Sequence, residues 1–343
     1  MKNNIIISLI IICFFAVELS EAKQTVSKVG TTVAPFLNLD IGARGVGMGG
    51  AFVSIADDAT SMFWNPAGIA TMSNREVVFG YNNWFADISL NYVGFAVPMG
   101  GRFGSVGVNL VYLNYGEMEK TTYLSPDGTG EKFDAISYAI GLNYARNLTD
   151  RFCVGLNVKL INERIYHSSA TGFAFDLGTV YTTAFEGVTI GMSIRNYGTK
   201  MKMDGRDLYV PVDVDPTIEG NNYEINGKLN TEAYDLPLLF RVGLSVDLLK
   251  GIGNSNLIMA VEALHPNDDY ESVNIGTEYI FNNMFLLRVG YKSLFMPDSE
   301  EGLCFGAGFQ TNITGILGLK FDYAYQNFGI LGNTQMINAS FTF

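Results

Sequence analysis

The sequence predicts an all-β fold: a fourteen-stranded antiparallel transmembrane β-barrel with a short, partly helical N-terminal segment folded inside its lumen as a hatch. Beyond residue 75, apolar and polar residues alternate at a period of two in segment after segment. The connections between these segments alternate between short and long. The chain is also 48% hydrophobic and 13% aromatic, although it begins like an exported protein. These three observations are typical of a barrel in a bacterial outer membrane.

The beginning of the chain predicts a secretory signal peptide. Lys2 precedes an apolar run from Ile5 to Val17, and Ser20 and Ala22 supply the small residues of a cleavage site. We therefore predict a signal peptide over residues 1–22, an N-terminal segment and hatch over 23–75, and the barrel over 76–343. The formal net charge of −12 argues against a nucleic-acid partner.

The alternation identifies the strands. In residues 152–160, apolar side chains at the even positions alternate with Cys153, Gly155, Asn157 and Lys159. Such a pattern places one apolar and one polar face on a strand. The fourteen predicted strands cover residues 76–84, 87–98, 103–117, 132–147, 151–166, 171–182, 187–199, 235–249, 255–264, 270–281, 284–295, 301–312, 315–327 and 333–343.

The connections differ between the two ends of the predicted barrel. The short set reads PMGGR, NLTD, TAFEG, KGIGNS, FNNM and NITG. The long or polar set reads GEMEKTTYLSPDGTGEK, YHSSAT, residues 198–234, HPNDDY, MPDSEEG and NFGILGN. Short turns at one end and long loops at the other, with an even number of strands, match an outer-membrane barrel.

Alternation alone also fits a soluble β-sandwich, in which the apolar face points inward. Two features favour the membrane barrel. Aromatic residues lie near strand ends on the apolar face, as interfacial girdles do. The chain also ends with alternating Ile337, Ala339, Phe341 and Phe343, which resembles the signal read by the barrel assembly machinery. We therefore predict insertion into the outer membrane of a Gram-negative bacterium, with its lipid as the surrounding partner.

The polar faces of the strands carry charges of both signs in equal number, which predicts a paired, internally neutral lumen. The charged residues assigned to this face are Lys159, Glu163, Asp176, Arg195, Arg241, Asp247, Glu262, Glu278, Arg288, Lys292, Lys320 and Asp322.

The segment before the first strand contains Gly45, Gly47 and Gly50 in a G-x-G-x-x-G spacing. This spacing also occurs in dinucleotide-binding enzymes, but there a buried strand precedes it and a helix and a βαβ unit follow. Here that context is missing, so no cofactor is predicted. We interpret the glycines as positions where the hatch turns tightly and packs close to other chain. Residues 51–64 predict a short helix that stops before Pro66.

The same segment resembles the N-terminal signature of the FadL-like outer-membrane proteins, and most closely that of the PorV/PorQ family. That family has an Arg-x-x-Gly-Met-Gly-Gly-Ala run, then Ala-Asp-Asp, then Asn-Pro-Ala-Gly. The matching hatch residues here are Arg44, Gly47, Met48, Gly49, Gly50, Asp57, Asp58, Asn65, Pro66 and Gly68. The resemblance implies a fourteen-stranded barrel with an internal hatch.

The resemblance implies two functions. The PorV branch is associated with type IX secretion, with the translocon and secreted cargo as partners. The FadL branch moves hydrophobic compounds such as long-chain fatty acids across the outer membrane. For transport, Met48, Phe52, Phe63 and Trp64 are candidates to line a hydrophobic ligand pocket, although they can equally anchor the hatch to the wall. The loop over residues 198–234 is a candidate cargo-binding loop.

Catalysis and metal binding find little support. His167 is followed by Ser168, but no oriented carboxylate is evident beside them. For Asp57 and Asp58 we expect helix capping or ion pairs with lumen cations such as Arg241 or Arg288. We predict a non-enzymatic protein without a metal site, and the sequence leaves open whether Cys153 and Cys304 pair.

Overall fold

Fourteen long strands dominate the computed structural model, which describes residues 29–100, 103–185, 187–213, 217, 225–250, 253–313 and 317–343. The predicted signal peptide lies outside the described residues. The strands are β1 (Glu76–Asn83), β2 (Ser89–Pro98), β3 (Ser105–Glu119), β4 (Lys132–Thr149), β5 (Phe152–Ile165), β6 (Ser168–Thr182), β7 (Val188–Gly198), β8 (Leu239–Asp247), β9 (Asn256–Pro266), β10 (Ser272–Phe281), β11 (Phe285–Leu294), β12 (Leu303–Ile313), β13 (Leu317–Asn327) and β14 (Asn333–Thr342).

These strands form one closed antiparallel barrel. Each strand pairs with the next along the chain, and β1 pairs with β14 from Glu76↔Thr342 to Asn83↔Gln335. Closure leaves no free sheet edge, as a barrel in a bilayer requires. The predicted fold class and strand number are confirmed.

The apolar faces of the strands point out of the barrel. On β4, Leu142 and Tyr144 are 59% and 44% exposed, whereas Asn143 and Ala145 between and after them are buried. The same alternation runs along β5 and β6. In a sandwich the apolar face would be buried instead, so the structure decides for a membrane barrel.

The connections divide between the two ends as expected, with one exception. The predicted loop YHSSAT is wrong: β5 and β6 meet in a tight hairpin in which Ile165 pairs with Ser168. Tyr166 supplies the positive φ of this turn, so Ser168 to Ala170 belong to β6 instead. The longest connection, between β7 and β8, contains two small antiparallel pairs, Met201–Lys202 with Ala233–Tyr234 and Tyr209–Val212 with Ile225–Lys228.

The hatch consists of short helical turns joined by irregular chain. The α-helices are α1 (Ala43–Gly47) and α2 (Ser61–Trp64), and 3₁₀ turns cover Pro35–Asn38 and Pro66–Thr71. None of the described helices has the length and apolar character needed to cross a membrane.

The predicted helix over residues 51–64 is wrong in its extent, because only its last turn, α2, is helical. The amides of Phe52 and Val53 donate instead to the Glu262 carboxylate of β9, at 2.7 and 2.8 Å. These amides therefore find their acceptor on the barrel wall. The stop before Pro66 is confirmed, since α2 ends at Trp64 and Asn65 is extended.

Candidate functional site

Arg44 lies at the centre of the contacts between the hatch and the wall. Its guanidinium donates to Glu278 of β10, with Nη2 2.9 Å from Oε2, and pairs with Asp57 and Asp58 of the hatch itself. The Arg44 and Glu278 side chains are 9% and 0% exposed. A buried pair of this kind depends on every partner, because removing one leaves an uncompensated charge.

Further ion pairs connect Glu278 to charged residues on the neighbouring strands of the wall. Arg288 of β11 bonds Glu278 at 2.8 Å and Asp322 of β13 at 2.7 Å. Lys320 lies 3.6 Å from both Asp322 and Asp58, which returns the chain of contacts to the hatch. We call this set the charge ring. Its members are Arg44, Asp57, Asp58, Glu278, Arg288, Lys320 and Asp322.

The ring corrects one expectation. Asp57 and Asp58 do form ion pairs, but with Arg44 and Lys320 rather than with Arg241 or Arg288. The reason is the path of the hatch, which brings its own Arg44 alongside both carboxylates. Thr60 also donates to Asp58 through its amide, at 3.0 Å, and through its hydroxyl, so this buried carboxylate is hydrogen-bonded as well as ion-paired.

A second buried ion group, which the sequence analysis missed, surrounds Asp40. Its carboxylate lies 2.8 Å from Lys292 and 3.6 Å from Arg241, and Arg241 also bonds Glu262 at 2.9 Å. Asp40 is 3% exposed, so these two cations compensate a charge that water does not reach. The balanced charges on the strands gave no signal that an acid from the hatch would join this group, and Lys292 also pairs with Glu301 at 2.7 Å.

Two further predicted lumen charges, Arg195 and Asp247, differ in their surroundings, while Lys159 and Asp176 pair with each other at 2.8 Å. Arg195 is buried and donates to the carbonyl of Leu37 at 2.8 Å. No carboxylate among the described residues lies within ion-pairing distance of it. Asp247 stands at the short-turn end of β8, where it accepts from Asn256 and from the amide of Leu249, outside the buried ion groups.

Glycines bring the hatch backbone directly against the wall. A Cβ on Gly47 would lie 3.0 Å from Gly306 Cα, and one on Gly49 would lie 2.7 Å from the backbone nitrogen of Tyr291. The barrel wall also has glycines on its lumen face where the hatch backbone approaches it. Those that contact hatch backbone are Gly155, Gly191, Gly276, Gly290 and Gly306. The predicted role of the hatch glycines in close packing therefore has a matching set on the barrel.

Gly49→Ala is expected to destabilise the protein beyond the cost of its backbone conformation. Gly49 has φ +64° and its new methyl group would meet the backbone of β11, which cannot move aside as a side chain can. Gly116→Ala is the matched control, because Gly116 has φ +77° but open space around it. The left-handed conformation costs alanine about 1–2 kcal/mol in both, so thermal unfolding of the two variants isolates the packing term. Equal shifts in the unfolding temperature would contradict the close contact.

The Asn65-Pro66-Ala67-Gly68 stretch locks the end of the hatch near the short-turn end. The Asn65 amide donates to the carbonyls of Val53 in the hatch and Thr179 in β6, at 2.8 and 3.0 Å, and its oxygen accepts from the Ala67 amide. One side chain thus joins two parts of the hatch to the wall.

The residues proposed to line a ligand pocket fall into two places. Phe52 and Phe63 pack edge-on against Trp64, with ring centroids 5.6 and 5.5 Å apart, while Met48 packs with Ala51 and Ala260. Trp64 is completely buried and its ring nitrogen donates to the carbonyl of Ile41. This packing anchors the hatch, and the ligand pocket stays a prediction.

A small cavity of about 10 Å³ adjoins this cluster, lined by Leu37, Phe63, Asn109, Val111, Ala139, Asn157, Lys159, Asp176 and Arg195. The Arg195 guanidinium lies 3.7 Å from the Phe63 ring centre, and its Nε and Nη1 have no hydrogen-bond partner in the described chain. The oxygens of Asn109 and Asn157 are likewise unpaired. This space fits about one water molecule.

The long-loop end carries an exposed hairpin, Tyr209–Val212 with Ile225–Lys228. Tyr209, Ile225 and nearby Leu229 are about half exposed. Asp204 anchors the base of the hairpin through Lys228, and Asp204–Gly205 pair with β6. Exposed apolar side chains on a loop hairpin are suited to contact another protein.

The sequence of the hatch and of the first half of the barrel matches a known protein family. Residues 21–218 match the family described as type IX secretion system protein PorV. The match covers more than half of the chain and includes the hatch with the charge-ring residues Arg44, Asp57 and Asp58. The chain belongs to the PorV family. The resemblance predicted from the hatch sequence is thereby confirmed.

Solved structures similar to this PorV-family chain share its barrel. The toluene transporter TbuX of Ralstonia pickettii matches with a TM-score of 0.54 at 12% identity, over 88% of this chain and 97% of that one. The toluene transporter TodX of Pseudomonas putida matches with a TM-score of 0.55 at 12% identity, over 87% and 96%. At this identity the likeness shows a FadL-like fold. The search of curated proteins found no match.

The geometry at His167 gives this PorV-family barrel no nucleophile with an adjacent base. His167 Nδ1 lies 3.1 Å from Asp207, but its Nε2 faces Arg206, and the Ser168 hydroxyl contacts Asp207 rather than the imidazole. Within the described ranges, no three His, Cys, Asp or Glu side chains are grouped so as to hold a metal ion. Cys153 and Cys304 are both free thiols.

Proposed function

We propose that this PorV-family outer-membrane barrel is a non-enzymatic component of type IX protein secretion, which engages the translocon or exported proteins at its long-loop face. The observation that carries the proposal is the family match, which runs from the hatch through β1 to β7, half of the barrel strands, into the long β7–β8 connection.

The packed lumen supports a role at the surface. Hatch side chains such as Phe52, Met62 and Trp64 are completely buried between the strands. A folded protein does not fit through a barrel that is filled in this way. The long-loop face, with the exposed hairpin described above, is the larger surface that remains for a protein partner.

Replacing Tyr209, Ile225 and Leu229 together with serine is expected to reduce type IX export severalfold while leaving the barrel intact. The three side chains are exposed, so their loss removes contact surface rather than core. Export is measured in a strain that lacks the native gene and carries the variant, as the amount of type IX cargo reaching the cell surface and medium.

The matched control replaces Tyr123 and Leu124, which are 99% and 89% exposed on the β3–β4 loop. Export with this control should stay near the unmodified level. If deletion of the whole gene leaves export unchanged, the proposed function is wrong. If deletion abolishes export but the hairpin variant exports normally, the partner contacts another part of the outer face.

Transport of a hydrophobic, fatty-acid-like molecule is the second candidate function. It is favoured by an apolar cluster in the lumen, in which Phe36 and Leu37 of the hatch pack with Val111, Ala139 and Ile161 of the wall, beside the buried Lys159, Asp176 and Arg195. The charge ring occupies other strands, β10, β11 and β13. Uptake of a labelled long-chain fatty acid that depends on this gene would support transport, and uptake independent of the gene would remove it.

A further inference from the structure

The described chain begins at the long-loop mouth of the barrel. The amide of Val33 donates to the carbonyl of Asp235, at 3.0 Å, in the β7–β8 connection. The hydroxyl of Thr32 donates to Asp268 in the β9–β10 connection. Both partners belong to long-end connections. We call Thr32, Val33, Asp235 and Asp268 the outer latch.

The hatch leaves the lumen at the opposite end. Arg75 and Phe343 exchange two backbone hydrogen bonds, of 3.1 and 3.0 Å, where β1 begins and β14 ends. Contacts with the wall show the path of the hatch between these two ends. Asp40 contacts Lys292 near the long-loop end of β11, and the Asn65 amide contacts Thr179 near the short-turn end of β6. The segment therefore crosses the lumen once, from the long-loop end to the short-turn end.

Because the barrel is closed, the chain at Val33 can leave the lumen only through one of its two ends. β1 and β14 pair along the whole of β1, and the hatch itself fills the lumen below Val33. The long-loop mouth is consequently the side on which residues 29–32, the described residues before Val33, lie. In outer-membrane barrels the longer loops face the cell exterior and the short turns face the periplasm.

We propose that residues 29–33, the first described residues of the hatch, are displayed on the cell surface beside the β7–β8 connection, and that the outer latch holds them there. The surface open to an extracellular partner then includes the first residues of the hatch as well as the loops. The inference concerns topology and holds whether or not the barrel serves secretion.

The latch has a mechanical consequence. The hatch is held at its outer end by the latch and is covalently continuous with β1 at its inner end. Withdrawing it into the periplasm would require breaking the latch and drawing the N-terminal end through the whole lumen. Movements of the hatch within the lumen require neither breaking of the latch nor passage of the N-terminal end through the barrel.

Cysteine labelling in intact cells tests the placement. In a background with Cys153→Ala and Cys304→Ala, Val29→Cys places a thiol on a half-exposed residue before the latch. Tyr123→Cys marks the long-loop end, and Asp150→Cys marks the exposed β4–β5 turn. A membrane-impermeant maleimide should label the first two in intact cells and the third after the outer membrane is permeabilised.

Two results would overturn the proposal. The first is a Val29→Cys thiol that behaves like Asp150→Cys or resists the reagent while Tyr123→Cys is labelled. The second is labelling of Asp150→Cys in intact cells with protection of Tyr123→Cys, which would reverse the barrel. The faster migration of unheated barrel on gels verifies folding. An epitope inserted after Val29 and detected by antibody on whole cells gives an independent readout if a cysteine variant does not fold.

Discussion

Arg44→Ala is expected to cost the protein about 3–5 kcal/mol, the range for removing one partner of a buried ion pair. The substitution leaves the fully buried Glu278 with Arg288 as its one remaining ion-pair partner among the described residues, and leaves Asp58 with Lys320 at 3.6 Å. The pair with Asp57 adds little to this figure, because that carboxylate is 58% exposed and screened by water. The temperature at which unheated barrel loses its compact gel migration measures the effect.

Lys132→Ala provides the matched control for Arg44→Ala. Lys132 pairs with Glu117 at 3.1 Å, but both side chains are well exposed, so its loss should change stability by less than about 1 kcal/mol. Limited proteolysis adds a second readout, since a hatch released from the charge ring should be cut before the barrel is. If both variants unfold at the temperature of the unmodified protein, the charge ring does not hold the hatch.

Trp64→Ala is expected to have an effect of similar size, about 3–5 kcal/mol, because it empties a large space in a fully packed region. Trp64 loses its edge-on contacts with Phe52 and Phe63, its hydrogen bond to Ile41, and the guanidinium of Arg241 over its ring at 4.8 Å. Thermal unfolding in detergent measures the loss.

The chain supplies its own control for Trp64, since it contains two tryptophans. Trp84 packs with Phe85 and Phe328 at the long-loop mouth but is half-buried. Trp84→Ala should therefore cost clearly less than Trp64→Ala. A larger cost at Trp84 would show that the rim, rather than the hatch, stabilises the structure.

The barrel was predictable because its main determinant is local. A period of two along each segment fixes which side chains share a face, and the strands found in the structure begin and end within a few residues of most predictions. Which face meets lipid was less certain from alternation, and it was the terminal aromatic residues and loop lengths that favoured the correct answer. The hatch motif identified the family for a similar reason, since it is contiguous in sequence.

Partners distant in sequence were beyond such reasoning. The helix predicted over residues 51–64 failed because Glu262, on a strand far along the chain, accepts the amides of Phe52 and Val53. The partners of Asp57 and Asp58 depended likewise on how the hatch folds back on itself. Glycines on the polar face of the strands, such as Gly276 and Gly290, did hold usable information, because they mark where the hatch backbone touches the wall.

Native mass spectrometry of the barrel, extracted gently from its own outer membrane, tests the central claim most directly. The account predicts that a protein partner co-purifies, identified by its sequence as a type IX translocon component or an exported type IX cargo, and that the partner is lost when Tyr209, Ile225 and Leu229 are replaced with serine. A barrel that carries no such partner but retains an apolar small molecule, released when Phe63 and Trp64 are replaced with alanine, would contradict the secretion role and establish transport in its place.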